Sequence, residues 1–232
     1  MTMTNSITGF CRQALMLVFI SAGFPGAAAA AESPARMVIG SGVAGEKTVP
    51  LPATARKLIL TLPGSVLVRL DRKAAPRAVI RFDRNLLELV SVQSSATTVT
   101  IGTSASFRSN LGLRIDIVLN AMESIENNGS ADIAIENLNE PRLLIDSPGS
   151  GNLAASGRVE RLVVRLSGAG DLSAAELAAA ACELSSSGSG NASMHCSESV
   201  SGELSGAGSL SVAGKPKRRS VRALGASEIE YE

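Results

Sequence analysis

The sequence predicts an all-β solenoid, a β-helix whose coils are about 19–20 residues long. Three observations carry this reading. A glycine phrase returns at near-constant spacing, short runs of alternating apolar residues follow each copy, and no long segment of helical 3.6-residue period interrupts them. The phrase reads Asn128-Gly-Ser-Ala-Asp132, Pro148-Gly-Ser-Gly-Asn152, Ser167-Gly-Ala-Gly-Asp171, Ser187-Gly-Ser-Gly-Asn191 and Ser205-Gly-Ala-Gly-Ser209, and it fades as Leu224-Gly-Ala-Ser-Glu228. Its leading glycines, Gly129, Gly149, Gly168, Gly188, Gly206 and Gly225, step by 20, 19, 20, 18 and 19 residues.

In chain order, residues 1–31 have the pattern of a secretory signal peptide. Arg12 supplies the positive n-region, Ala14–Phe19 with Ile20 the apolar core, Pro25-Gly26 the break and Ala27–Ala31 the small-residue cleavage sites. The apolar run is too short to span a bilayer comfortably, and no second one follows. The expectation is an exported protein of the periplasm or cell surface, with no membrane span after cleavage. Cys11 precedes the apolar core and is not placed like a lipoprotein cysteine.

Arg12 is the only charged residue of that segment, so the remainder of this 232-residue chain carries 21 basic and 21 acidic residues. This balance supplies no net field for nucleic acid or an anionic membrane. Cys182 and Cys196 remain. An exported protein permits a disulfide between them, but spacing alone does not show that their Cβ atoms face each other.

Residues 32–50, punctuated by Pro34, Gly40, Gly42, Gly45 and Pro50, read as a leader. Residues 51–127 read as irregular coils. Leu58-Ile59-Leu60, Val66-Leu67-Val68, Ala78-Val79-Ile80, Leu86-Leu87-Glu88-Leu89-Val90 and Thr97–Ile101 are short β-prone runs, with Pro63-Gly64 and Asp71–Pro76 as turns. Leu111, Leu113, Ile115, Ile117 and Leu119 alternate strictly, as in a half-buried strand.

Residues 128–232 read as the regular repeats. One alternating run follows each phrase: Ile133 and Ile135, Leu153 and Ala155, Leu172 and Ala174, Ala192 and Met194, Leu210 and Val212, Ile229 and Tyr231. A second closes each repeat: Leu143 and Ile145; Leu162, Val164 and Leu166; Ala180, Cys182 and Leu184; Val200 and Leu204; Val221 and Ala223. In register, apolar residue lies over apolar residue, and stacking at about 4.8 Å seals a column that no single coil could bury. The glycines are expected at corners, often with φ above zero, and the following Asp or Asn is expected to bond back to local backbone. Ala174–Cys182 favours helix locally. The repeat register runs through it, however, which predicts a strand with Ala180 inside and Ala179 and Ala181 outside.

These residues resemble a known family, the putative auto-transporter adhesin head GIN domain, a domain of unknown function with repeated S-G-x-G-D/N phrases. Gly40-Ser-Gly-Val43 resembles its opening. Asn85-Leu-Leu-Glu-Leu89 with Val99-Thr-Ile101 resembles its middle strands, and Arg114-Ile-Asp-Ile-Val118 the approach to its repeats. The resemblance covers residues 38–231. It implies a right-handed, single-stranded β-helix, exported, with no established enzymatic activity. The first phrase lacks the second glycine, Ser209 replaces the Asp or Asn, and the last repeat is degenerate. No C-terminal set of barrel strands is read, so the chain is not expected to translocate itself.

Four chemistries have candidate residues in the chain. Calcium loops need a nine-residue period and more carboxylates than the ladder Asp132, Asn152, Asp171, Asn191 offers, so the ladder reads as a corner device. Met194-His195-Cys196 could hold a soft metal, but in a strand His195 points away from its neighbours. Asp71, Asp83, Asp116 and Asp146 could pair on one face as in a glycan-cleaving site, but nothing in the sequence places two together. Lys215, Lys217, Arg218, Arg219 and Arg222 read as a solvated turn that blocks end-to-end stacking, or as a dock for lipopolysaccharide phosphate. The absence of Trp and the single Tyr231 argue against stacking on sugar rings. The expected function is therefore non-enzymatic. It is adhesion or interaction at the bacterial cell envelope, with an envelope protein or surface glycan as partner and no nucleic acid. No catalytic, cofactor-binding or metal residue is assigned. The rivals are a polysaccharide-binding or polysaccharide-cleaving protein and a periplasmic metal-binding or stress-related protein.

Overall fold

A computed structural model of the chain describes residues 37–232. The signal-peptide reading of residues 1–31 lies outside them. The described residues are all-β, dominated by one large, mostly parallel sheet of 15 strands. The strands, in order, are β1 (Val38–Ile39), β2 (Ala44–Pro50), β3 (Lys57–Thr61), β4 (Pro63–Leu70), β5 (Arg77–Asp83), β6 (Val90–Ser94), β7 (Thr98–Thr103), β8 (Phe107–Arg108), β9 (Arg114–Leu119) and β10 (Ser124–Asn127). Longer strands follow: β11 (Ser130–Ser147), β12 (Leu153–Leu166), β13 (Leu172–Ser186) and β14 (Ala192–Leu204). Then come β15 (Ser209–Ala213), β16 (Arg218–Ala223) and β17 (Glu228–Tyr231).

Each repeat pairs in parallel with the next, and the expected apolar columns form. One runs Ile115, Val66, Ile133, Leu153, Leu172, Ala192, Leu210 and Ile229 through seven successive pairings. Another runs Val99, Leu58, Ile125, Ile145, Val164 and Leu184. All of these are buried except the last of the first column, Ile229, which is half-buried. The core is almost entirely aliphatic, its described aromatic pair being Phe82 and Phe107, edge to face at 4.8 Å. Every described strand finds a pairing partner within residues 38–231, and the core lies among these strands.

The phrase glycines have a different cause from the one expected. None of them has positive φ; that conformation falls to Gly42, Gly64, Gly112, Gly157, Gly202 and Gly214. Instead they stack so closely that a Cβ at Gly168 would overlap the carbonyl oxygen of Gly149, and one at Gly188 that of Gly168. Close backbone approach, not turn geometry, requires glycine here. The first phrase tolerates Ala131 because it lies opposite Gly64 of β4 rather than opposite another full phrase.

Three local expectations are corrected. Arg84–Leu89 is a 3₁₀ helix, not a strand, and it turns both Leu86 and Leu87 into the core. Leu111 leaves the alternating run and is 42% exposed, since Gly112 at φ 72° turns the chain before β9 begins. Ala174–Cys182 is strand, held by ladders on both sides, but Ala179 faces the core and Ala180 is only half-buried. The ladder to β14 shifts register between Ala174 and Ala178 and again between Ala179 and Ala181, and each slip changes which residues face inward. In the stretch read as a leader, β2 pairs antiparallel with β5 along seven residues.

Candidate functional site

Outward residues of the strand series β9, β4, β11, β12, β13, β14 and β15 form one continuous face. Two columns define it. The first is Ser65, Asp132, Asn152, Asp171, Asn191 and Ser209; the second is Leu67, Ala134, Ala154, Ser173, Ser193 and Ser211. Side chains alternate in strands, so these columns flank the inward one from Val66 to Leu210. Because the second column is mostly Ala and Ser, the face is hollowed into a groove of about 960 Å³. Six strand steps of roughly 4.8 Å give it a length of about 29 Å.

The first column is a hydrogen-bonded ladder. The Asn152 backbone N–H and Nδ2 donate to Asp132 Oδ1 at 3.0 and 3.2 Å, and Asp171 N–H donates to Asn152 Oδ1 at 3.1 Å. Asn191 repeats the pattern on Asp171 at 2.7 and 3.2 Å. Ser209 ends it, its N–H and Oγ donating to Asn191 Oδ1 at 3.0 and 2.8 Å. The sequence predicts bonds from these side chains to local backbone; they serve the backbone of the following repeat instead.

One end of the groove carries Arg114 and Arg81. Arg81 hydrogen-bonds Asp116 and, at 2.9 Å, Glu46; these contacts, that with Asp116 foremost, hold its guanidinium more firmly protonated than usual. Nothing in the sequence joined these three residues. They are brought together by the antiparallel ladder that sets Arg81 opposite both Glu46 and Arg114.

The other candidates are dispersed. Asp71 accepts from Lys73 N–H in a turn at 2.9 Å. Asp83 is fully buried and accepts from Gly42 N–H at 2.6 Å and from the Ser109 hydroxyl. Asp116 is held by Arg81, and Asp146 lies in register between Glu126 and Arg165. No two of the four face each other in register. Met194 and Cys196 point inward and His195 does not. Cys196 is joined to Cys182 by a disulfide, with Cα atoms 6.0 Å apart. Among the described residues no three His, Cys, Asp or Glu side chains gather as a metal set.

In the basic cluster, Lys215 and Lys217 stand on a turn, whereas Arg218, Arg219 and Arg222 belong to strand β16. Arg219 occupies the register position of Leu143, Leu162, Cys182 and Val200. It donates to Pro216 O at 3.2 Å and lies 4.5 Å from the Tyr231 ring centre, a cation–π contact. Elsewhere, at the bend of β11, the Glu140 side chain is 8% exposed, and burial raises its carboxyl above the usual range against the opposing pull of Arg72 and Arg56.

The sequence profile of the family described as "Putative auto-transporter adhesin, head GIN domain" matches residues 59–216. No curated protein matches the chain. Among solved structures, a putative adhesin from Bacteroides fragilis NCTC 9343 aligns at TM-score 0.70 and 22% identity, covering 84% of this chain and 100% of that one. A putative adhesin from Parabacteroides merdae ATCC 43184 aligns at 0.52 and 15%, covering 83% and 98%. Another, from Parabacteroides distasonis ATCC 8503, aligns at 0.52 and 16%, covering 85% and 100%. At these identities the likeness is one of fold.

Proposed function

Because this chain belongs to the putative auto-transporter adhesin head GIN domain family, we propose that it is an exported, non-enzymatic interaction protein of the bacterial cell envelope. In this reading the repeats wind as a right-handed, single-stranded β-helix with coils of about 19–20 residues, and the ladder face is the working surface. One observation supports it above the others: the groove of about 960 Å³ runs unbroken along seven strands. An extended surface suits a long partner, a surface glycan or an envelope protein, better than it suits a small substrate. The lining points the same way. Asp132 and Asp171 have carboxylate oxygens beyond those used in the ladder, and Ser173, Ser193 and Ser211 add hydroxyls, so recognition would be by hydrogen bonds rather than by aromatic stacking.

The test is retention of envelope glycans and envelope proteins on immobilised protein, compared with a variant in which Ala154→Trp and Ser173→Trp fill the groove. Both positions are exposed, so the variant is expected to keep its circular dichroism spectrum. Retention lost in the variant supports the reading. No retention by the unsubstituted chain, or equal retention by both, overturns it.

A further inference from the structure

A second surface lies apart from the ladder face. Of the five exposed large hydrophobic side chains among the described residues, four belong to two neighbouring segments: Met37, Ile39 and Val43 on one, Leu111 on the other, 52%, 71%, 50% and 42% exposed. The two segments are fastened together. Strand β1 pairs with β8, Gly40 N–H donates to Arg108 O, and Ser41 N–H donates to Asn85 Oδ1. Both then close round the buried Asp83 carboxylate, Gly42 from one side and Ser109 from the other. Val38 packs inward with Phe107, which by alternation turns Met37 and Ile39 outward. Leu111 borders a hollow with Ala44 and Gly45, directly after Val43.

The rim of this patch is basic. Arg108 stands opposite Ile39 in register, Arg84 N–H donates to Val43 O, and Arg114 lines the hollow beside Leu111. Among the described residues none of these three makes an ion pair, whereas the nearby acids are engaged: Glu46 and Asp116 by Arg81, Glu88 by Lys47, and Asp83 by the Gly42 N–H and the Ser109 hydroxyl. What marks the rim is therefore three arginines free of ion pairs beside exposed apolar side chains, rather than a large net charge.

We propose that the patch docks on an anionic lipid bilayer. Apolar side chains entering the headgroup boundary inside a ring of arginines is the combination by which proteins bind such surfaces peripherally. Met37, Ile39 and Val43 lie together on one short segment, so three of the four apolar side chains reach the surface side by side. The inference is independent of the ladder-face reading, which concerns other residues.

The experiment is co-sedimentation of residues 35–232 with vesicles of phosphatidylcholine alone and of phosphatidylcholine with phosphatidylglycerol in equal parts. The full chain is run alongside. The expected result is binding to the anionic vesicles and at least fivefold less to the neutral ones. Ile39→Ser with Leu111→Ser, and separately Arg84→Ser with Arg108→Ser, should each lower anionic binding at least fivefold. Leu224→Ser, the fifth exposed hydrophobic, should leave it unchanged. All variants are to be checked for unaltered circular dichroism and melting. Failure of residues 35–232 to sediment overturns the proposal, as does binding insensitive to both double variants. A dimer in light scattering that Ile39→Ser with Leu111→Ser dissolves, without vesicle binding, assigns the patch to a second copy and also overturns it.

Discussion

Asn152 brings two donors, its backbone N–H and its Nδ2, to the single oxygen Oδ1 of Asp132 one repeat before it. Asn191 does the same to Asp171. Acceptor and donor therefore alternate along the column, and a carboxylate is never stacked on a carboxylate. The first prediction tests that order. Asn152→Asp places three carboxylates in consecutive positions and removes an amide donor, at a cost of about 1 kcal/mol at neutral pH. In urea titrations the loss should shrink at high salt, which screens exposed like charges.

The glycine column gives a sharper prediction. Gly168→Ala sets a methyl group against the Gly149 carbonyl, and the backbone there has no room to yield because Gly188 stacks on the other side. The expected loss is about 2–3 kcal/mol, in the range of an overpacked core. Ser150→Ala, in the adjacent phrase and exposed, should change the denaturation midpoint very little.

A third prediction concerns the disulfide. Ala174, Ala179 and Ala192 leave the core around β13 poor in apolar volume, and the Cys182–Cys196 bridge crosses it. Closing a loop of this length is worth about 3 kcal/mol. Cys182→Ser with Cys196→Ser should lower the melting temperature by about 6–12 °C. A reductant should reproduce the shift in the unsubstituted protein and leave the double variant unmoved.

The fourth rests on Glu140. Its folded carboxyl is raised by burial, so the folded state binds that proton more tightly than the unfolded state does. The protonated form favours folding below the unfolded value, and that contribution is lost as pH rises through the folded one. Glu140→Gln should therefore be more stable than the unsubstituted protein at pH 7, with the difference closing toward pH 4. The Arg72 contact at 3.7 Å, 64% exposed on the arginine side, is too solvated to reverse this sign.

Much of the fold was legible because its signal is periodic. The spacing of Gly129 to Gly225 and the alternation from Ile133 to Val212 each repeat several times, so single departures did not hide the all-β class or the columns. What stayed hidden was aperiodic or long-range. The 3₁₀ turn at Leu86 and Leu87 looks like another apolar run, and the register slips beside Ala179 depend on neighbouring strands rather than on local sequence. The ladder's residues were legible as a column, but not that they serve the next repeat's backbone. The Arg81, Asp116 and Glu46 group, and the closure round Asp83, join segments 26 to 41 residues apart through antiparallel pairing and turns that carry no motif.

The glycine stacking has a consequence for how such a chain changes over time. The glycine column demands only that each phrase have the same phrase for its neighbours. The alternation of Asp and Asn adds a second condition. Unequal crossing-over within the gene would keep both columns intact only when it added or removed units in pairs, about thirty-eight codons at a time. Each such event would lengthen or shorten the surface by about 9.6 Å. Reach would thus be an inheritable dimension, set by copy number, while the chemistry of the lining could drift one residue at a time.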